Sequence, residues 1–255
     1  MGCQRPLRRV ESCVQKGRAP VMYAVFAVAI VVAYLLGSVP FGFIIARAHG
    51  KDLRTIGSGN IGATNLARAV GRQWGYVCFA LDVLKGLIPV AVVGAIVDVR
   101  SDPVALSLWL TVGIAAIVGH VFPVYLRFKG GKGVATSFGV ALGLWPYFTI
   151  CALVALAVWV IVVLIWHYIS LASICAAVAF PIALALGMSA LPDWDSASLW
   201  PLLVAAIIIP ILVIVRHRAN IARLVAGTES KVRSRANTAG RGVSVSVACS
   251  MSFEQ

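Results

Sequence analysis

Seven apolar runs, most of them about as long as a bilayer is thick, govern what this chain can become. The first extends from Met22 to Ala46, and the others lie near 75–97, 104–125, 134–150, 152–167, 169–190 and 200–215. A helix needs about 20 apolar residues, within a range of about 17–25, to cross the hydrocarbon core. Backbone amides in lipid must be satisfied within their own segment, so such runs become helices. Composition agrees: 60% of the 255 residues are hydrophobic, only 12% are charged, and mean hydropathy is +0.94. Soluble domains hold about 45–50% apolar and about 25% charged residues, and no water-soluble core explains this excess. The expected fold is an all-α integral membrane protein, a polytopic bundle of about seven transmembrane helices. Five or six also fit, because Val134 to Leu191 accommodates three short helices or two long, tilted ones. Pro146 and the pair His167-Tyr168 are the expected break points in that stretch.

A net charge of +13 and a pI near 10.0 would suggest nucleic acid as the partner of a soluble chain. Here the positive-inside rule is the simpler cause, and no nucleic acid is expected. Cations gather at 47–73 (Arg47, Lys51, Arg54, Arg68, Arg72), at 127–133 (Arg127, Lys129, Lys132) and at 216–235 (Arg216, Arg218, Arg223, Lys231, Arg233, Arg235). By contrast, 98–103 has one Arg against Asp98 and Asp102, and 190–200 has only Asp193 and Asp195. With seven spans, all three basic segments face one side, which the rule assigns to the cytoplasm. Such a face attracts anionic lipids and phosphorylated metabolites.

The same count leaves the basic stretch 1–21 outside, against the rule. The expectation is therefore that translation starts at Met22. Residues 1–21 would be an extension outside the core, 22–231 a single membrane-embedded domain, and the Ser-, Arg-, Gly- and Val-rich tail at 232–255 disordered. Cys3, Cys13, Cys78, Cys151, Cys175 and Cys249 are scattered, with no C-x-x-C pair. That pattern indicates neither a disulfide framework nor a metal site.

Three segments beside the apolar runs combine small residues with cationic and amide donors. Gly57-Ser58-Gly59-Asn60-Ile61-Gly62-Ala63-Thr64-Asn65, with Arg68, is the first. Its letters match a dinucleotide fingerprint, but that motif requires a preceding strand, and here a membrane helix precedes. What survives is a glycine turn feeding a short helix, which offers free N–H groups and a positive dipole to an anion. Ser58, Asn60, Thr64 and Asn65 add donors and Arg68 adds charge; a plain connecting loop does not explain so many. The second is Phe128-Lys129-Gly130-Gly131-Lys132-Gly133. P-loop spacing is missing, so ATP is not implied, yet two lysines flanking paired glycines suit a phosphate. Alone, this segment fits a positive-inside turn equally well. The third is Arg216-His217-Arg218-Ala219-Asn220-Ile221. His217 and Asn220 share a helix face, and a histidine moves protons while an amide donates to an oxyanion. On spacing alone a basic membrane-edge helix fits it too.

Asp82 and Lys85 interrupt the second apolar run. Ionisable groups inside a membrane are functional suspects, but residues three apart can also neutralise each other. Both readings stay open, while His120 and His167 fit hydrogen-bonded structural roles. Gly139-x-x-x-Gly143 is a pattern that lets helices approach closely. No His is followed by Asp in His-x4-Asp spacing, and no G-x-S-x-G elbow occurs.

In order along the chain, the motifs resemble those of the bacterial acyl-phosphate:glycerol-3-phosphate acyltransferases, the PlsY type. The resemblance runs through Leu36-Gly37-Ser38-Val39-Pro40-Phe41-Gly42, Asp52-Leu53-Arg54 into Gly57–Arg68, and Asp82-Val83-Leu84-Lys85-Gly86. It continues through Gly119-His120-Val121-Phe122-Pro123, Lys129-Gly130-Gly131-Lys132-Gly133, Ser170-Leu171-Ala172-Ser173 and Arg216-His217-Arg218, ending at Gly227-Thr228-Glu229. Roughly residues 22 to 231 are covered. The resemblance implies a multi-pass enzyme of the bacterial cytoplasmic (inner) membrane, with its active site at the cytoplasmic face. It would move a fatty acyl group from acyl phosphate to the sn-1 hydroxyl of glycerol 3-phosphate, giving lysophosphatidic acid and inorganic phosphate in the first acylation of phospholipid synthesis. Membrane lipids, and a functional link to the enzyme that makes acyl phosphate, are the further implied partners; no cofactor or metal is implied.

Catalytic roles are expected at His217, Asn220 and Lys132. Substrate binding is expected at Ser58, Gly59, Asn60, Thr64, Asn65, Arg68, Lys129, Gly130, Gly131 and Ser173. In this reading Ser58, Asn60 and Arg68 hold one phosphate, and Lys129 and Lys132 with their glycine amides hold the other. Either His217 or a substrate phosphate takes the hydroxyl proton. The rival classes are an organophosphate transporter and a noncatalytic lipid-binding protein. No clear internal repeat supports transport.

Overall fold

The computed structural model describes residues 5–99, 103–192, 194 and 196–231, and every regular element among them is helical. Helix α1 (Arg5–Ser38) gives way to α2 (Phe41–Ala48) at Val39-Pro40. Proline lacks the N–H that would continue the ladder, so the break falls there. A loop leads to the short α3 (Ala63–Ala69), followed by α4 (Arg72–Ile96), α5 (Pro103–Val121) and a single 3-10 turn (Val124–Leu126). The chain closes with α6 (Val134–Gly143), α7 (Tyr147–Trp166), α8 (Ile169–Ala190), α9 (Ser196–Arg216) and α10 (Arg218–Val225).

Six stretches are long and apolar enough to cross a bilayer: Pro20–Ala48, Arg72–Ile96, Pro103–Leu126, Tyr147–Trp166, Ile169–Ala190 and Leu199–Arg216. The run expected at 134–150 differs. It breaks at 144–146, leaving α6 with ten residues, a length of about 15 Å or half a hydrocarbon core. Val134 to Leu191 is thus three helices, interrupted at Pro146 and at His167-Tyr168. Lys132 before α6 touches Asn220 after α9, so the two ends of the α6–α9 stretch meet.

A short helix holds its place by close packing. A Cβ at Gly139 would stand 2.0 Å from the carbonyl oxygen of Val83, so α6 lies backbone to backbone on α4. Gly139-x-x-x-Gly143 therefore works as a helix-contact pattern. The main core gathers Phe26, Val90, Trp109, Phe148, Leu184 and Leu202 from six helices. Val28, Leu164, Leu186 and Ile208 face outward, as side chains do when hydrocarbon is the solvent.

The expectation for the tail at 232–255 lies outside the described residues. The first helix does not open at Met22: α1 already begins at Arg5 and runs through that position without a break.

Candidate active site

One end of the bundle brings the three basic motifs together. Lys132 Nζ donates to Asn220 Oδ1 at 2.5 Å. Arg216 reaches across from the end of α9 and donates through Nη2 to the carbonyls of Gly130 and Gly131, at 3.2 and 3.1 Å. Arg68, of the first motif, adds its charge to those that lower the Lys132 pKa.

Asn65, in the first turn of α3, organises the loop that precedes the helix. It is buried; its Oδ1 accepts the Ser58 N–H at 3.1 Å, and its Nδ2 donates to the carbonyls of Leu53 and Ile56 at 3.1 and 2.9 Å. That amide is committed to the loop rather than turned to a substrate. Asn60 Oδ1 accepts the Gly62 N–H at 2.8 Å, an Asx turn that leads into α3. Ser58, Gly59 and Arg68 are exposed, and Thr64 is half-buried in the first turn of α3.

The anticipated cradle of glycine amides is not what the second motif offers. Gly130 N–H donates to Val121 O at 3.2 Å and Gly131 N–H to His120 O at 3.1 Å, so both point at the end of α5. The loop presents the exposed Lys129 and the half-buried Lys132 instead. Beyond them, the N–H groups of residues 132–136, entering α6, have no acceptor among the described residues. Burial pushes the Lys132 ammonium down to about 8; Glu229 opposes this, and Arg223, Arg68 and Arg216 add to it. Lys132 is a cation poised for an anion.

His217 caps α10 and is 2% exposed. Its Nδ1 lies 2.7 Å from Val213 O. A carbonyl only accepts, so the hydrogen sits on Nδ1 and Nε2 keeps its lone pair. Burial lowers the imidazole from 6.5 to about 4, leaving it neutral at physiological pH. One turn on, Asn220 Nδ2 donates to Glu229 Oε1 at 2.6 Å. Glu229 also accepts from Ser170 Oγ at 2.9 Å and from Arg223 Nε at 2.7 Å. This hub was not among the expected site residues. Its signal in the sequence is that Glu229 is the single acid among the cations of 216–235. Ser173 sits one turn deeper on α8, donating to Ile169 O at 2.8 Å and accepting from Trp159 Nε1 at 3.3 Å. It ties α8 to α7 and makes no bond to the Lys132–Asn220 group.

A family model described as glycerol-3-phosphate acyltransferase matches residues 27–227. The chain belongs to the glycerol-3-phosphate acyltransferase family. It is 46% identical over 202 residues to the glycerol-3-phosphate acyltransferase of Trichlorobacter lovleyi, covering 79% of this chain and 95% of that one. Two crystal structures of PlsY, an integral membrane glycerol 3-phosphate acyltransferase, share the fold. The glycerol 3-phosphate form has a TM-score of 0.70 at 39% identity, covering 82% of this chain and 96% of that chain. The lysophosphatidic acid form gives 0.68 at 38%, covering 82% and 95%. The matched region contains all three basic motifs.

Proposed function

We propose that this protein transfers a fatty acyl group from acyl phosphate to the sn-1 hydroxyl of glycerol 3-phosphate, releasing lysophosphatidic acid and inorganic phosphate. The observation that carries the reading is the part-buried chain Lys132–Asn220–Glu229 beside a neutral His217. It combines an anion-binding cation, a fixed amide and a lone-pair acceptor at one membrane-edge site. Both substrates are phosphorylated, and two anions must be held close together. Ser58, Asn60 Nδ2 and Arg68 hold one phosphate. Lys129, Lys132 and the free N–H groups entering α6 hold the other. Asn65 acts indirectly, by shaping the loop that presents Ser58, and Ser173 acts by joining α8 to α7.

The donor is a mixed anhydride and already activated, so no acyl-enzyme is required. The sn-1 oxygen attacks the acyl carbon, the bond from that carbon to the phosphate oxygen breaks, and phosphate leaves. The hydroxyl proton goes to a phosphate oxygen. A phosphate with a second pKa of about 6 is a better match to neutral pH than His217 at about 4. His217 Nε2 accepts a hydrogen bond from the attacking hydroxyl and aims it. Asn220 keeps one N–H for the carbonyl oxyanion, since only the other has an acceptor among the described residues. Positioning two reactants is worth up to about 7–11 kcal/mol of barrier.

The catalytic domain is 22–231, with residues 5–21 an extension of its first helix. The cationic end faces the cytoplasm of a bacterial cell, as the positive-inside rule places it. There it draws acyl phosphate from the enzyme that makes it and performs the first acylation of phospholipid synthesis. Cations gathered at one end, rather than at mid-membrane, speak for this reading over transport. Donor choice tests it: purified protein offered palmitoyl phosphate or palmitoyl-CoA with glycerol 3-phosphate acylates from the phosphate. Lysophosphatidic acid formed only from the thioester would overturn the proposed donor.

A further inference from the structure

Asp82, Lys85 and His120 form a buried polar cluster that the proposed chemistry does not use. Asp82 is 3% exposed, Lys85 2% and His120 7%. Charges this deep persist only with partners. Lys85 Nζ stands 2.8 Å from Asp82 Oδ1, so the two charges neutralise each other. The same ammonium donates to Val39 O at 2.9 Å, at the break between α1 and α2, where the Phe41 N–H also donates to that carbonyl. His120 Nδ1 lies 3.7 Å from Asp82 Oδ1.

The other side of the cluster meets the glycine loop. Gly131 N–H and Gly130 N–H donate to the carbonyls of His120 and Val121. A Cβ at Gly131 would stand 2.1 Å from His120 Nε2, so the ring lies flush against the loop and sets how near it can come. Lys132 is the next residue. Arg216 grips the outer carbonyls of the same two glycines, so the loop is clamped between a guanidinium and an imidazole.

We infer that Asp82 and His120 are positioning residues for acyl transfer. The carboxylate, itself paired with Lys85, stands 3.7 Å from the His120 ring and sets the polar wall it packs on; the ring packs against Gly131; and that backbone holds Lys132 beside Asn220. The inference rests on the proposed acyl transfer for its kinetic consequence, but not for its effect on the loop. A displacement of about 1 Å at a reacting site costs up to about 100-fold in rate.

The test uses the full chain in detergent with His120→Ala, the milder His120→Gln, Gly131→Ala, the double variant Gly131→Ala/His120→Ala, and Leu184→Ala as a core control on α8. Amide hydrogen exchange of the 129–133 loop is read beside kcat and KM for glycerol 3-phosphate. Loss of the ring is expected to speed loop exchange about tenfold, as local opening becomes easier. It lowers kcat/KM about 10- to 100-fold. Gly131→Ala alone is damaging, yet nearly harmless once His120 is Ala, because the obstructing ring is gone. Leu184→Ala lowers the melting temperature and leaves loop exchange and KM as in wild type. Loop exchange within twofold of wild type in both His120 variants would overturn the proposal. So would equal damage from Gly131→Ala in both backgrounds. Faster loop exchange in a protein whose wild type makes no lysophosphatidic acid would support the positioning role while removing the proposed activity.

Discussion

Lys132 and Asn220 are 88 positions apart in the chain and 2.5 Å apart in space. That contact fuses two motifs, each of which alone fits a basic loop at a membrane edge. With Glu229 bound to the far side of Asn220, it becomes a part-buried relay of cation, amide and carboxylate. Removing the cation should leave the fold and abolish the chemistry. Lys132→Ala and Arg68→Ala are expected to insert in the membrane and lose about 100-fold or more in kcat/KM, the scale of losing a donor at a developing charge. Near wild-type turnover in both variants would refute the two-phosphate arrangement.

Burial holds Lys132 near 8, and an anion favours its charged form. Glycerol 3-phosphate binding should therefore weaken above about pH 8, by up to tenfold per pH unit, because the free site must first take up a proton. Titration calorimetry from pH 7 to 9.5 measures this. Lys132→Arg, charged throughout that range, is expected to flatten the dependence. A wild-type affinity that stays level across the window would contradict it.

Much of the bundle is legible in the sequence. Helices follow from apolar length, and the breaks at Pro146 and His167-Tyr168 follow from backbone chemistry that acts locally. The run at 134–150 is longer than the helix it forms, because its apolar residues continue past Gly143 while the helix does not. The clustering of basic motifs was also legible, since loop charge reports which end a loop occupies. Hydrogen-bond commitments were not. Whether the amides of Gly130 and Gly131 face a phosphate or the end of α5 depends on how α5 packs, which no local pattern encodes. Glu229 becomes a hub only because Ser170, Asn220 and Arg223 arrive from separate elements.

His217 separates two mechanisms by pH. If it were the titrating base, the acidic limb of kcat/KM would fall near 4 and vanish in His217→Asn. A phosphate acceptor instead places the limb near about 6, where a phosphate monoester titrates, and His217→Asn lowers the whole curve without moving it. Stability carries a related signature. The folded pKa is depressed below 6.5, so the buried neutral ring contributes stability that is present above 6.5 and lost as pH falls towards 4.

Glu229→Gln tests the hub. Its carboxylate is held below the usual range despite burial, by hydrogen bonds from Asn220, Arg223 and Ser170. The amide keeps the shape but loses the charge that faces Arg223 and Lys132. The expected outcome is a lower melting temperature together with a fall in kcat of about tenfold or more, as Asn220 loses its fixed orientation. Unchanged kcat in a destabilised variant would confine Glu229 to the fold.

The most direct measurement follows phosphate release and lysophosphatidic acid together, from palmitoyl phosphate and glycerol 3-phosphate, in wild type and Lys132→Ala. One phosphate for each lysophosphatidic acid, with both lost in the variant, is the predicted result. Folded wild type that makes no lysophosphatidic acid across several acyl chain lengths, or Lys132→Ala that keeps full turnover, would contradict the account.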